Sequence, residues 1–232
     1  MKKYTKEEII TKCEDASKEM EIFYKSDFVN YSGKTKEGDY YTEVIAEWLL
    51  DHFEVFDRIK KIKRESTYKV VGHNGNIQRM TNRKEEITAK QLYNSGKSFP
   101  FGKIIDYQVP LKNIKSKNVG KIDLLSESKE EKKIYILELK KEDSKETFLR
   151  SALEAYTYYR IVDKEKMFID FGLDSSFGIK ASPLVYKGSR QEAEYMESGR
   201  IFLHKLLEKM EVVPFFISEN VDFSVNIPEC LG

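Results

Sequence analysis

Val119-Gly120-Lys121-Ile122-Asp123-Leu124-Leu125, followed by Ile134-Tyr135-Ile136-Leu137-Glu138-Leu139-Lys140, is the stretch of this chain whose reading decides the fold. Strand alternation places Ile134, Ile136, Glu138 and Lys140 on one face of the second segment. Asp123 interrupts a run of Ile and Leu that reads as a buried strand. Carboxylates and a lysine on neighbouring apolar strands are costly to desolvate without compensation, and a divalent cation is the usual compensator. Half-exposed antiparallel strands with cross-strand charge pairs on their wet face carry the same residue types, so the dipeptides alone leave both readings open.

The elements around this pair narrow the choice. Residues 5–26 carry apolar positions at helical spacing behind a Thr5 cap, and Val44, Ile45, Trp48, Leu49 and Phe53 predict a second helix over 40–56. The basic, Gly- and Asn-bearing residues 58–82 read as a connector or hairpin. Thr81 or Asn82 is expected to cap a helix through Asn94 that Ser95-Gly96 ends. Strands are predicted over 103–111, 119–126 and 132–140. Asp143 and Glu146 form the spacing of a capping box for a helix over 144–162. A strand over 180–186, a helix over 190–210 and a strand over 211–217 complete the series. Three consecutive strands make a meander and the following helix supplies a crossover, which gives an α/β fold with a mixed central sheet flanked by helices. The expected division is a helical N-terminal segment over 1–80, packed on the core or on a partner, and a core over 81–232.

Composition excludes several classes. Lys plus Arg (40) balances Asp plus Glu (39), so the chain lacks the global basic signature of a nucleic-acid binder. Charge is local instead: Arg58, Lys60, Lys61, Lys63 and Arg64 cluster, as do Lys112, Lys115, Lys117 and Lys121 ahead of Asp123, runs that a solvated surface also carries. Cys13 and Cys230 lie near opposite ends without ligand or disulfide spacing, and read as reduced thiols of a cytoplasmic protein. No apolar run approaches membrane-spanning length and the N-terminus has no signal-like apolar region, so neither export nor membrane insertion is expected.

The order helix–strand–strand–strand–helix–strand, with Asp123 on the second strand and Glu138-x-Lys140 on the third, resembles the PD-(D/E)XK nuclease superfamily over residues 82–218. The resemblance implies a restriction endonuclease-like fold and metal-dependent hydrolysis of nucleic acid, DNA rather than RNA on family prevalence, with a homodimer as one assembly that cuts both strands. It matches Asp123 and Glu138 to the two metal-holding acids and Lys140 to the catalytic lysine. The literal Pro-Asp dipeptide is absent, since Ile122 precedes Asp123. Glu154 and Tyr158 have the spacing of the Gln-x-x-x-Tyr motif of the recombination-exonuclease branch, with Glu in place of Gln; pairing of Glu154 with Arg150 on a packed helix accounts for the same residues. Glu85, in the first turn of the preceding helix, is the implied third metal acid, and a solvated acid favoured by the helix dipole is the alternative. Mg2+ or Mn2+ is the implied cofactor, held by Asp123, Glu138 and the Leu139 carbonyl.

Other motifs are weaker. Gly33-Lys34-Thr35 lacks the earlier glycine and the preceding strand of a phosphate-binding loop. His52, His73 and His204 are scattered and read as packing or surface, and Asp106 as a structural hydrogen-bonding group. Tyr156, Tyr158 and Tyr159 have spacing suited to core and side chains suited to base stacking. The main alternative function is a domain of this fold that binds nucleic acid or a protein partner without cutting.

Overall fold

In a computed structural model, described for residues 3–77, 83–112, 120–218 and 223–228, the chain builds a seven-stranded mixed sheet whose spatial order follows the sequence. The strands are β1 (Ser98–Phe99), β2 (Gly102–Pro110), β3 (Lys121–Ser128), β4 (Lys133–Leu139), β5 (Gly178–Tyr186), β6 (Phe215–Ser218) and β7 (Ser224–Asn226). β1 to β4 form an antiparallel meander that contains the expected one, and β4, β5 and β6 run parallel, with helical crossovers leading into β5 and β6. The short edge strands β1 and β7 are additions that sequence periodicity does not show, because two or three residues carry no period.

The helices are α1 (Lys6–Ala16), α2 (Tyr41–Asp51), α3 (Lys84–Ser95), α4 (Phe148–Ile161), α5 (Lys164–Phe171), α6 (Arg190–Met196) and α7 (Ile201–Met210). Thr5 caps α1 as expected, and it does so in a reciprocal box with Glu8. Gly96 ends α3 in the left-handed conformation (φ 62°). The caps expected at Thr81 or Asn82, and Cys230, Lys115, Lys117 and Val119, lie outside the described residues. The first two predicted helices each relax into a 3-10 segment, Ser17–Lys25 and Phe53–Arg58. Residues 59–77 form an irregular connector with no hairpin.

Two further expectations are corrected. The helix after β4 starts at Phe148 behind a Thr147 cap, not at 144 behind Asp143. Thr147 is anchored by the N-terminal segment, through Asn30 Oδ1 (2.7 Å) and the Val29 carbonyl (2.8 Å). Asp143 pairs with Lys84 instead, and Glu146 with Lys140 and Arg150. The predicted 190–210 helix is two helices, broken around Gly199 (φ 87°). The Glu43 carboxylate of α2 accepts the Phe202 and Leu203 amides at 2.9 Å, capping the second of them from another element.

Alternation along β4 sorts its side chains between two cores. Ile134 and Ile136 join α4, α7 and the N-terminal residues Ile9, Phe23, Ile45 and Leu49 on one face. Tyr135, Leu137 and Leu139 join Ala89 and Leu92 of α3 on the other. The N-terminal helices thus share a core with the sheet. Ile136 is fully buried. Ile136→Ala is therefore expected to lower unfolding free energy by about 2–5 kcal/mol in urea titrations, whereas Ile169→Ala, at a side chain 79% exposed, shifts it by less than about 0.5 kcal/mol.

Candidate active site

β3 and β4 pair as far as Leu124–Leu137 and then part. At this fork the Asp123 side chain replaces the ladder: its Oδ2 accepts the Leu139 amide at 3.0 Å. Its Oδ1 accepts Gln108 Nε2 from β2 at 2.7 Å. Gln108 has φ 49°, a left-handed conformation that costs a non-glycine residue energy, and it follows a register shift between Ile104 and Asp106. This distortion places the Gln108 amide on Asp123. A polar residue facing Asp123 across an antiparallel pair is predictable once the register is known, but not from β2 alone.

Beyond the fork, the Lys140 Nζ lies 2.9 Å from Glu138 Oε1, 3.0 Å from Glu146 Oε2 and 2.7 Å from Glu154 Oε2. Lys140 and Glu138 are each about 5% exposed. The Tyr158 hydroxyl donates to Glu154 Oε1 at 2.8 Å, one turn along α4, and lies 3.3 Å from the Tyr24 hydroxyl of the N-terminal segment. Gly120, just before β3, leaves room for this ring: a Cβ there would stand 2.1 Å from the Tyr158 hydroxyl. Glu85 sits in the first turn of α3, where its Oε1 accepts the Lys141 amide at 3.2 Å.

The structure therefore gathers Asp123, Glu138, Lys140, Glu154 and Tyr158 at one end of β4, with Glu85 at the rim. Glu154 pairs with Lys140; Arg150, its expected partner on the helix, pairs with Glu146 at 3.1 Å. Tyr158 is buried, as is Tyr156, which packs on Phe56. Three members of the cluster are not evident from sequence pattern: Gln108, Glu146 and Tyr24. Tyr24 lies 134 residues from its partner and carries no local signal.

The electrostatics of the cluster are unbalanced. Burial pushes Asp123 up to about 7; Lys140 pulls it down, while Glu154 and Glu85 push it further up. Burial, then the charges of Asp123 and Glu154, holds Glu138 well above the carboxylate range. Burial opposes the Lys140 ammonium, but Glu138, Glu154 and Glu146 outweigh it and keep its pKa well above that of a free lysine. Lys140 is thus a fixed cation, unsuited to take a proton at neutral pH. Burial also raises Glu154, yet Lys140 overcomes it and the carboxyl stays ionised. The Tyr158 hydroxyl is raised by burial and by Glu138 and Glu154, and keeps its proton.

Three carboxyl groups, those of Glu138, Glu146 and Glu154, thus surround one ammonium whose charge also reaches Asp123, and Glu138 Oε2 is buried without a hydrogen-bond partner. An orphaned carboxylate oxygen in an acid-rich, oxygen-only donor set fits a hard divalent cation.

No protein-family model, curated protein or solved structure matches the chain.

Asp123 and Glu138 have folded pKa values above the roughly 4 of an unfolded carboxylate. Between about pH 4 and 7 the folded chain therefore holds more protons than the unfolded one, and stability falls as pH rises. Glu154, shifted the other way, contributes stability that is lost only as pH falls below the ordinary carboxylate range. For the metal-free protein, the urea midpoint is expected to drop from pH 5 to pH 7.5. Asp123→Asn should flatten that slope and raise the midpoint at pH 7.5; an unchanged slope would remove Asp123 as its source.

Proposed function

We propose that the protein is a metal-dependent phosphodiesterase of the PD-(D/E)XK type, with a restriction endonuclease-like core, acting on nucleic acid and on DNA in particular. The observation that carries this reading is the convergence of Asp123, Glu138 and Lys140 at the β3–β4 fork, with an excess of carboxylates and an orphaned Glu138 oxygen. Asp123 and Glu138 would hold Mg2+ or Mn2+, with Glu85 as an outer acid. Bound there, such an ion would supply an acidified water and screening of the phosphate charge.

The chain's own residues do the rest. Lys140, kept protonated, presents positive charge to the phosphoryl oxygens as negative charge grows there. Its low exposure leaves little water to weaken that interaction. Glu154 and Glu146 hold the ammonium in place, and the Tyr158 hydroxyl fixes Glu154. Gln108 and the Leu139 amide orient the two Asp123 oxygens. Tyr24, from outside the sheet, closes the far end of this chain of hydrogen bonds.

One observation favours a second reading, a domain of this architecture that binds nucleic acid or a protein without cutting: three carboxylates already satisfy Lys140. Incubation of a labelled oligonucleotide with Mg2+ or Mn2+ separates the two. Cleavage is expected with either ion and not with chelator. Asp123→Asn, which preserves size and keeps an oxygen for the Leu139 amide, should reduce the rate at least about a hundredfold while the protein stays folded, with no loss of stability at pH 7.5. Equal inertness of wild type and variant, with binding intact, would exclude hydrolysis and leave the binding reading.

A further inference from the structure

Beside β2, lined by Tyr107 and Gln108, lies a cleft of about 410 Å³ that the catalytic cluster leaves unused. Its walls are preformed. The Tyr107 hydroxyl accepts the Gly75 amide at 3.1 Å, and Asn94 Nδ2 donates to the Gly75 carbonyl at 2.8 Å, so the connector is fastened down over the sheet. The His73 ring stacks on Tyr107, with centroids 4.3 Å apart and planes at 16°. His73 Nδ1 lies 2.7 Å from Asp106 Oδ1, which also accepts the Tyr107 amide at 2.8 Å. An ionised carboxylate only accepts, so Nδ1 carries the hydrogen and Nε2 is the ring position left to a ligand. This is neither the surface nor the simple packing role that an isolated histidine suggests.

The lining is cationic in a chain with a net charge of only +1. Arg83, Lys90 and Lys121 contribute three positive charges, against the single carboxylate of Glu86, which pairs with Lys90 at 2.8 Å and Arg83 at 3.5 Å. Gln108 connects the cleft to the site, since it lines the cleft and donates to Asp123 at 2.7 Å. A volume of this size suits a nucleotide-sized group, not a duplex. Concentrated cations around a polar floor suit phosphate oxygens.

We infer that this cleft is the subsite that holds the phosphodiester strand next to the scissile bond, with Arg83, Lys90 and Lys121 on a backbone phosphate and His73 Nε2 accepting from a donor of the same nucleotide. The inference rests on the phosphodiesterase reading for the direction in which the strand runs, but binding here does not require that the strand be cut. DNA and RNA share the recognised phosphate, and recognition resides in the backbone.

The test uses Arg83→Gln with Lys121→Gln in the full chain, since the Arg83 side chain is 78% exposed and Lys121 is exposed, and neither supports the core. Affinities for labelled single-stranded DNA and RNA of one sequence are measured by fluorescence anisotropy across a salt series, with Ca2+ replacing Mg2+. The double variant should bind about tenfold more weakly. Its log–log salt slope should be shallower by about 1.4, which is about 0.7 for each cation withdrawn from a phosphate. Lys205→Gln, on α7, should leave both unchanged. In turnover, the double variant should raise KM about tenfold with kcat preserved, a split that general damage to the fold would not produce. The polymer that shows the drop identifies the bound strand. Wild-type affinity and slope in the double variant, or no binding of either polymer by wild type, would overturn the subsite. Binding through the cleft without cleavage in Mg2+ or Mn2+ would remove the hydrolase reading and leave the subsite standing; cleavage indifferent to both substitutions would do the reverse.

Discussion

The ammonium of Lys140, buried against the carboxylates of Glu138, Glu146 and Glu154, is the interaction on which the rest of this structure depends. Each acid comes from a different piece of the chain: β4, the loop after it, and α4. Removing one partner from a buried ion pair typically costs about 3–5 kcal/mol, because the other charge is left uncompensated. The group therefore constrains everything that delivers it. The loop must bring Glu146 back over the strand end, α4 must start late enough to place Glu154, and the N-terminal segment must fasten Thr147 for that start. Satisfying the lysine does not satisfy every acid, since Glu138 Oε2 stays buried without a hydrogen-bond partner.

Topology places this group where chemistry is accessible. β4 pairs antiparallel with β3 and parallel with β5, so its carboxyl end has the parting β3 on one side and the crossover into α4 beyond it. Ligands in open α/β sheets collect beyond the carboxyl ends of strands, where helices and loops diverge and backbone groups lose their ladder partners. Here the Asp123 carboxylate occupies that gap by accepting the Leu139 amide. The distortion at Gln108 serves both sides of β2, since the residue braces Asp123 and floors the cationic cleft.

Much of this was legible in the residues. Alternation in Ile134–Lys140 identified the face that carries Glu138 and Lys140, and three apolar runs of strand length gave the meander. Ser95-Gly96 ended a helix because only a residue tolerant of positive φ closes it cheaply. Asp123, Glu138, Lys140, Glu154 and Tyr158 were grouped through their resemblance to a nuclease motif set, and the fold brings them to one end of β4. The errors share a cause. Asp143 and Glu146 had the pattern of a cap, but Glu146 is drawn to Lys140 and the helix starts at Phe148 behind a Thr147 cap. Residues 190–210 had one helical period, but Glu43 caps a second start within them from a distant helix.

The sequence by itself determined the elements whose signal is local: periodicities, end caps, and the acids and lysine that interrupt apolar strands. Only the tertiary structure decided which of those charges share a site, that Lys140 stays protonated, and that Tyr24, Gln108 and Glu146 belong beside it. The reason is physical. Periodicity depends on neighbours within a few residues, whereas desolvation and charge coupling depend on what the fold packs around a group, however far away in the chain.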